Sequence, residues 1–283
     1  MMQILNNLKK SAKGKLKSIH LSYVRRQQAF SSSQLQDLLV TLGIENGDVL
    51  LVHSSMEGFK AFDGKITDII SVLQGAVGSN GTLLMPTMPF TGTAVEYMQL
   101  GNIFNVKKTP SRMGMISELF RRMPGVCRSV HPTHPVAARG LHENDLLEDH
   151  YKCTTPCGRQ SPYGRLLDFN GKILLLGTSV GVLTFFHTVE EILEKNFPFS
   201  PFTEKKYSMQ SKTGSGELVT TEMRLFNPEI SKRRNINILI PELKSKGFWR
   251  ESKLGTLDVI LLNANDILNV MTTMSNNGKY CYD

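Results

Sequence analysis

"DVLLVHSSMEGFKAFDGKITDIISVLQGAVGSNGTLLMPTM" spans residues 48–88, and its rhythm decides the fold. "DVLLVHSS" is a short apolar strand that runs into two small hydroxyl residues, Ser54 and Ser55. "KITDIISVLQGAVG" has helical periodicity and a glycine, Gly78, at its end. "GTLLMPTM" is a second strand, ended by Pro86. A strand, a helix and another strand at this spacing argue for an α/β fold with a parallel component, because parallel neighbours need a crossover.

Upstream, "SSSQLQDLLVTLGIENGD" reads as a capped helix closed by Gly43. Downstream, residues 89–109 are long and irregular, with Gly92 and Gly101, as in a functional loop or a lid. "TPSRMGMISELFRRMPG" follows as a helix with Ser111 as its N-cap. "CRSVHPTHPVAARG" is extended and broken by prolines, and residues 141–170 read as helix, loop, helix. "GKILLLG" is a buried strand, followed by a helix whose first turn holds His187. Residues 205–221 alternate around Gly/Ser turn residues, as in a hairpin, and residues 241–274 give a helix, strand-like segments and a last helix. With no internal repeat or clear linker, the economical organisation is one domain over residues 31–283 behind an arm over residues 1–30.

The chain has 283 residues, enough for a core that stands without staples. It is 40% hydrophobic and 20% charged, ordinary for a soluble globular protein. No apolar run approaches the roughly 20 residues of a membrane span, and no secretory signal is evident. Four scattered cysteines do not make a disulfide framework, so a reduced, cytoplasmic protein is expected. The net charge of +8 is concentrated in the arm, where Lys9, Lys10, Lys13, Lys15, Lys17, Arg25 and Arg26 meet no acidic residue. The rest of the chain carries about +1. The arm reads either as a solvated helix packed on the domain or as a basic amphipathic segment touching an anionic membrane surface. Nucleic acid is not expected as a partner, since no recognition motif and little aromatic interleaving are present.

Four chemistries compete for the motifs. In "HPTHP", His131 and His134 have the spacing of metal ligands, but the prolines disrupt a helical face and no supporting ligand motif accompanies them, so no metal is expected. Ser54 and Ser55 lie at a strand end, where α/β folds place ligand contacts, yet no GxSxG elbow marks a hydrolase nucleophile. "VGSNGT" lacks the Lys-Ser/Thr of a P-loop, while "GTSVGVLT" is a glycine turn able to aim amides at an anion. His187 stands three residues before Glu190, a helical spacing that puts imidazole and carboxylate side by side. A carboxylate there fixes the tautomer and supports a general base, whereas the plain alternative is a structural histidine.

The order of motifs resembles the aminoglycoside 3-N-acetyltransferase family. "LLVHSSMEGFKAFDGKITDIISVLQGAVGSNGTLLMPTM" is similar to its opening block, and "TPSRMGMISELFRRMPGVCRSVHPTHPVAARG" to its central block. "GRQSPYGRLLDFNGKILLLG" and "LTFFHTVEE" resemble its next two elements, and "KLGTLDVILLNANDIL" its C-terminal end more loosely. The resemblance covers about residues 34–270. It implies an α/β fold with a mixed, largely parallel central sheet flanked by helices. It also implies acetyl-coenzyme A as co-substrate and direct acetyl transfer to an amine.

By the same resemblance, His187 is the catalytic base, flanked by Thr184 and Glu190. Ser54, Ser55, Thr87, Ser111, Met113 and Gly114 fall on cofactor-facing motifs, and Arg128, Ser129 and His131 on an element near the same cleft. Arg112 and Arg128 are candidates for the coenzyme's phosphates. Either Glu190 or Glu229 is the carboxylate that orients the imidazole. Lys232, Arg233 and Arg234 stand where aminoglycoside-acting members carry acidic residues. The expected acceptor is therefore a neutral or anionic amino sugar, nucleotide-linked or part of a surface polysaccharide, with an aminoglycoside as the alternative. A non-catalytic ligand-binding protein on the same fold is the remaining alternative.

Overall fold

The computed structural model describes Tyr23, Val24 and residues 26–283. Most of the basic arm, and with it the expected membrane contact, lies outside the described residues. Helix α1 (Ser32–Thr41) opens on a capping box in which Ser31 and Gln34 satisfy each other's backbone N–H. Gly43 follows its end with φ +95°, a conformation open to glycine.

Two sheets form. The larger contains β1 (Val49–Ser54), β2 (Thr82–Pro86), β4 (Cys127–Arg128), β5 (Val136–Gly140), β6 (Lys172–Leu176), β9 (Arg250–Leu254) and β10 (Leu257–Asn263), in the order β4-β5-β2-β1-β6-β10-β9. The smaller joins β3 (Phe104–Asn105) to β7 (Phe202–Lys212) and β8 (Leu218–Phe226). In the larger sheet β2, β1 and β6 run parallel, and the strands on either side of them are antiparallel. The parallel centre follows from the crossover through α2 (Ile66–Val77), whose buried face is Ile69, Ile70, Val72, Leu73, Ala76 and Val77. At one edge β9 turns straight into β10 at residues 255–256, the short link of an antiparallel pair, whereas β5 and β10 join β2 and β6 from far along the chain. The sheet is thus mixed, parallel at its centre and antiparallel at its flanks.

Because the central strands are covered on both faces, β1, β2 and β6 are buried nearly throughout. Val49, Leu51, Ile173 and Leu175 point into one core, with Phe185, Phe186 and Val189. Leu50, Val52, Leu174 and Leu176 point into the other, with the apolar face of α2. Gly58 and Gly177 hold the loops after β1 and β6 together. A Cβ at either would come within 2.8 Å of the other's Cα, and Gly177 has φ +63°.

The irregular stretch 89–109 is built into the domain. It contains a short helix (Ala94–Gln99) and β3, and Tyr97, Phe104 and Val106 bury against Met209 of the hairpin. Ser111 is not the N-cap of the next helix. That helix (Met115–Phe120) starts from Gly114 at φ +103°, while the Ser111 hydroxyl accepts the Met113 N–H at 3.1 Å.

The HPTHP segment forms a polar knot inside the protein. His131, His134 and His150 are all buried, and the His131 and His150 rings stack 4.2 Å apart. His131 Nδ1 accepts the His134 N–H at 3.0 Å. His150 Nε2 donates to the Pro156 carbonyl at 3.1 Å, so its Nδ1 accepts the Ser129 hydroxyl at 2.9 Å. The rings fix the bend before β5 and make no metal cluster among the described residues.

Burial holds His131 and His134 far below the ordinary imidazole range and takes His150 down to about 3. The unfolded chain takes up these protons near the reference value of 6.5 and the folded chain refuses them. Their contribution to stability is therefore full above about pH 6.5 and is lost as the pH falls towards the folded values, by about 1.4 kcal/mol per pH unit for each ring. Urea unfolding between pH 7 and pH 5 is expected to show steeply falling stability. His150→Gln is expected to flatten that slope by the equivalent of one proton, and an unchanged slope would refute this account of the knot.

Candidate active site

A cavity of about 310 Å³ opens at the carboxyl ends of the parallel strands, where open α/β sheets place ligands. Its walls come from β1 (His53, Ser54), the end of β2 and its loop (Pro86, Met88), Met113 and the segment after β6 (Thr178 to Thr184). His187 closes it on one side, with Arg234 and Ile236 beside it. The volume lies at the small end of the usual range for small-molecule sites, about 300–1,000 Å³.

His187 is the second residue of helix α3 (Phe186–Ile192), a helix of only two turns. Its Nδ1 meets Glu190 Oε2 at 2.5 Å, one turn along. Glu190 is completely buried, and its second oxygen accepts Arg234 Nε at 3.1 Å. Arg234, Glu190 and His187 therefore form a line in which one carboxylate is shared by two bases. Phe226 lies against the imidazole, with ring centroids 4.2 Å apart. The Nδ1 contact fixes the tautomer. A neutral ring carries its proton on Nδ1, towards the carboxylate, and offers the Nε2 lone pair to the other side.

Burial lowers the His187 pKa first, the Arg234 charge lowers it further, and Glu190 pulls it back up. The result lies below the ordinary imidazole value, so the ring is an unprotonated base at neutral pH.

The remaining expected site residues divide between cavity and scaffold. Ser54, Met113 and Thr184 line the cavity. Gly114 supplies the turn beside Met113. The Ser55 hydroxyl caps the 3-10 turn Met56–Phe59 by accepting the Glu57 N–H, and does not reach the cavity wall. Thr87 is buried and donates to the Pro135 carbonyl at 2.9 Å. Arg128 is an internal brace and not a free phosphate ligand. It donates to Thr87 Oγ1 at 2.9 Å, to the Thr87 carbonyl at 2.5 Å and to the Thr109 carbonyl at 2.6 Å, and it lies over the Phe104 ring. Ser129 and His131 belong to the buried knot. Ser111 is spent on the turn before Met115. Its hydroxyl also lies 3.4 Å from that of Ser117, a cavity residue.

Glu229 is corrected as a catalytic candidate. Its carboxylate is exposed and pairs with Lys232 at 2.7 Å, leaving Glu190 as the partner of the imidazole. Arg112 is exposed and lines a second cavity of about 670 Å³, together with Phe90, Glu96 and Tyr97.

His53, Arg234 and Ile236 were not legible as site residues in the sequence. Arg234 sat inside a basic run whose members part company in the structure. Lys232 turns to Glu229, Arg233 to the Asp283 carbonyl and Arg234 inward to Glu190. The alternation of β1 marks His53 as the one polar side chain on its row, the only available signal.

An α/β sheet thus sets a buried imidazole–carboxylate pair beside a cavity at its parallel strand ends. The model of the aminoglycoside 3-N-acetyltransferase family matches residues 51–276, and the chain belongs to that family of acetyl-coenzyme A-dependent acyltransferases. Aminoglycoside N(3)-acetyltransferase IX of Micromonospora chalcea is 24% identical over 259 residues, covering 84% of this chain and 90% of the relative. Aminoglycoside N(3)-acetyltransferase IV of Salmonella sp is 32% identical over 164 residues, 58% of this chain and 60% of the relative. The apoenzyme of aminoglycoside acetyltransferase AAC(3)-IVa superposes with a TM-score of 0.72 at 25% identity, covering 89% of this chain and 91% of that one.

The shared carboxylate predicts opposite titration shifts. Glu190→Gln removes the group that raises the His187 pKa, and Arg234→Met removes a charge that lowers it. NMR titration of the imidazole is expected to move down in the first variant and up in the second. Arg234→Met also strands a buried carboxylate and is expected to cost about 3 kcal/mol of stability. Shifts in the same direction would break the assigned line.

Proposed function

We propose that the protein transfers the acetyl group of acetyl-coenzyme A directly to an amine of an aminoglycoside, with His187 as the general base. The carrying observation is the 2.5 Å contact between His187 Nδ1 and Glu190 on the cavity wall, which makes Nε2 the nitrogen not committed to the carboxylate. An ammonium has no lone pair to offer a thioester, so the acceptor enters as the free amine or loses a proton first. As the nitrogen bonds to the carbonyl carbon, Nε2 takes its remaining excess proton, and Glu190 stabilises the imidazolium that forms. The tetrahedral centre then collapses, the C–S bond breaks, and the thiolate leaves with the electron pair. His187 returns the proton to the thiolate and is restored.

The residues present fit such a co-substrate. The cavity of about 310 Å³ has room for a thioester arm, and Arg112, exposed on the wall of the second cavity, is a cation available to a phosphate. A structure of AAC-IIIb holds CoASH at 20% identity and TM-score 0.74, which supports the fold as a frame for that ligand.

The acceptor follows the relatives and departs from the expectation of a polysaccharide or nucleotide-linked sugar, which nothing supports. AAC(3)-IVa has been solved with a gentamicin and with apramycin, and AAC-VIa with sisomicin. The repulsion that argued against a polycation is weakened here, because Lys232 and Arg234 are each paired with a carboxylate.

Thiol release from acetyl-coenzyme A tests this reading. Gentamicin, sisomicin and apramycin are expected to be turned over, and a nucleotide-linked amino sugar to be a poor acceptor. His187→Ala is expected to lose at least about 100-fold in kcat while still binding acetyl-coenzyme A. Turnover of the nucleotide sugar alone would overturn the acceptor, and an active His187→Ala the base.

A further inference from the structure

Strand β1 sends Val49, Leu51 and His53 to one face of the sheet, by the alternation of its side chains. Val49 and Leu51 join the core that holds Phe185, Phe186 and Val189, so this row lies on the His187 side. At its last position the pattern breaks, and an imidazole stands where the register asks for an aliphatic group. His53 is only 8% exposed and lines the same 310 Å³ cavity as His187. Its Nε2 is sealed from water and has no hydrogen-bond partner among the described residues. His131 also has an unpartnered Nε2, but its Nδ1 is engaged, its ring stacks on His150, and it is absent from the cavity wall. His53 is therefore the buried, under-used imidazole of the reaction chamber.

We propose that His53 is a second catalytic residue, whose neutral imidazole donates its N–H to the thioester carbonyl oxygen and holds the oxyanion that forms there. The assignment rests on the reading of the cavity as an acetyl-transfer site. When the amine nitrogen bonds to the carbonyl carbon, the π electrons of C=O move onto oxygen, which becomes negative. His53 strengthens its hydrogen bond to that oxygen and gives up no proton. When C=O re-forms, the electron pair returns, the C–S bond breaks, and the proton on His187 goes to the departing thiolate. The two histidines thus divide the work: His187 moves the proton and His53 holds the charge.

Burial lowers the His53 pKa to about 4. The ring is therefore neutral at neutral pH, and it keeps one N–H and one lone pair. A neutral imidazole suits this task because it stabilises a developing oxyanion without competing as an acid. The donor sits in a fixed position on a buried strand, so it needs no reorganisation as charge develops.

The test uses the carbonyl stretch of bound [1-13C]acetyl-coenzyme A, read by infrared difference spectroscopy. His187→Ala, which keeps the donor from turning over, serves as the background. With His53 intact, the stretch is expected to move to lower wavenumber on binding. With His53→Phe added, the shift is expected to vanish while the dissociation constant changes less than about 3-fold. In the His187-intact enzyme, His53→Phe is expected to lower kcat about 100-fold, the lower end for loss of one oxyanion donor. Its KM for acetyl-coenzyme A and its pH profile should stay put. His53→Gln keeps an N–H donor and is expected to recover most of the rate, and His53→Leu, which also removes the donor, is read in place of His53→Phe should the latter fail to fold. A carbonyl shift that persists without His53, or kcat unchanged in His53→Phe, overturns the proposal. A protein that binds no acetyl-coenzyme A at all overturns instead the reading of the cavity on which it rests.

Discussion

The structure of the site depends on one buried carboxylate serving two bases. Glu190 has no exposure to water, and burying a carboxylate is costly unless it is paired and hydrogen-bonded. Arg234 Nε on one oxygen and His187 Nδ1 on the other supply those partners and keep the imidazole aimed. The same three groups hold three separate pieces of chain in place: helix α3, the 227–236 segment that follows β8, and, through the 233–235 backbone, the C-terminal residues. Asn235 N–H donates to the Cys281 carbonyl and Asp283 N–H to the Arg233 carbonyl, each at 2.8 Å.

The core explains why α3 can be so short. Two turns of isolated helix are not stable in water. Here Phe186, Thr188, Val189 and Glu190 are buried, and the Thr188 hydroxyl donates to the Cys157 carbonyl at 2.7 Å. The helix is held by its neighbours and not by its own propensity. The close approach of Gly58 and Gly177 brings the β6 loop across the end of β1. That places Thr178 to Thr184 on the cavity rim opposite Met88 and Met113. The two histidine environments then diverge. The HPTHP knot is buried and held by backbone and hydroxyl groups, with His131 Nε2 left unpartnered among the described residues. His53 and His187 instead line the cavity.

Much of the fold was legible because it rests on local rules. Strand, helix and strand over residues 48–88, the helix ends at Gly43 and Gly78, and the 205–221 hairpin all follow from apolar period and turn residues, and the structure extends the hairpin to Phe202 and Phe226. The antiparallel flanks of the larger sheet and the second sheet that absorbs residues 94–105 were not legible. Pairing between strands far apart in sequence leaves no mark on either strand alone. Ser111 misled because its sequence context suits an N-cap, yet Gly114, with a conformation reserved for glycine, starts the helix instead.

By itself the sequence determined that an imidazole and a carboxylate share a helix face at His187 and Glu190, since an i,i+3 spacing is a property of the helix and needs no partner. The choice between Glu190 and Glu229, the inward turn of Arg234, the burial of Arg128 and His131 away from the cavity, and the place of His53 beside it were decided by tertiary structure. Each depends on which side chains are excluded from water together. That is settled only when distant strands and loops pack, because desolvation acts on the assembled neighbourhood and not on the order of residues along the chain.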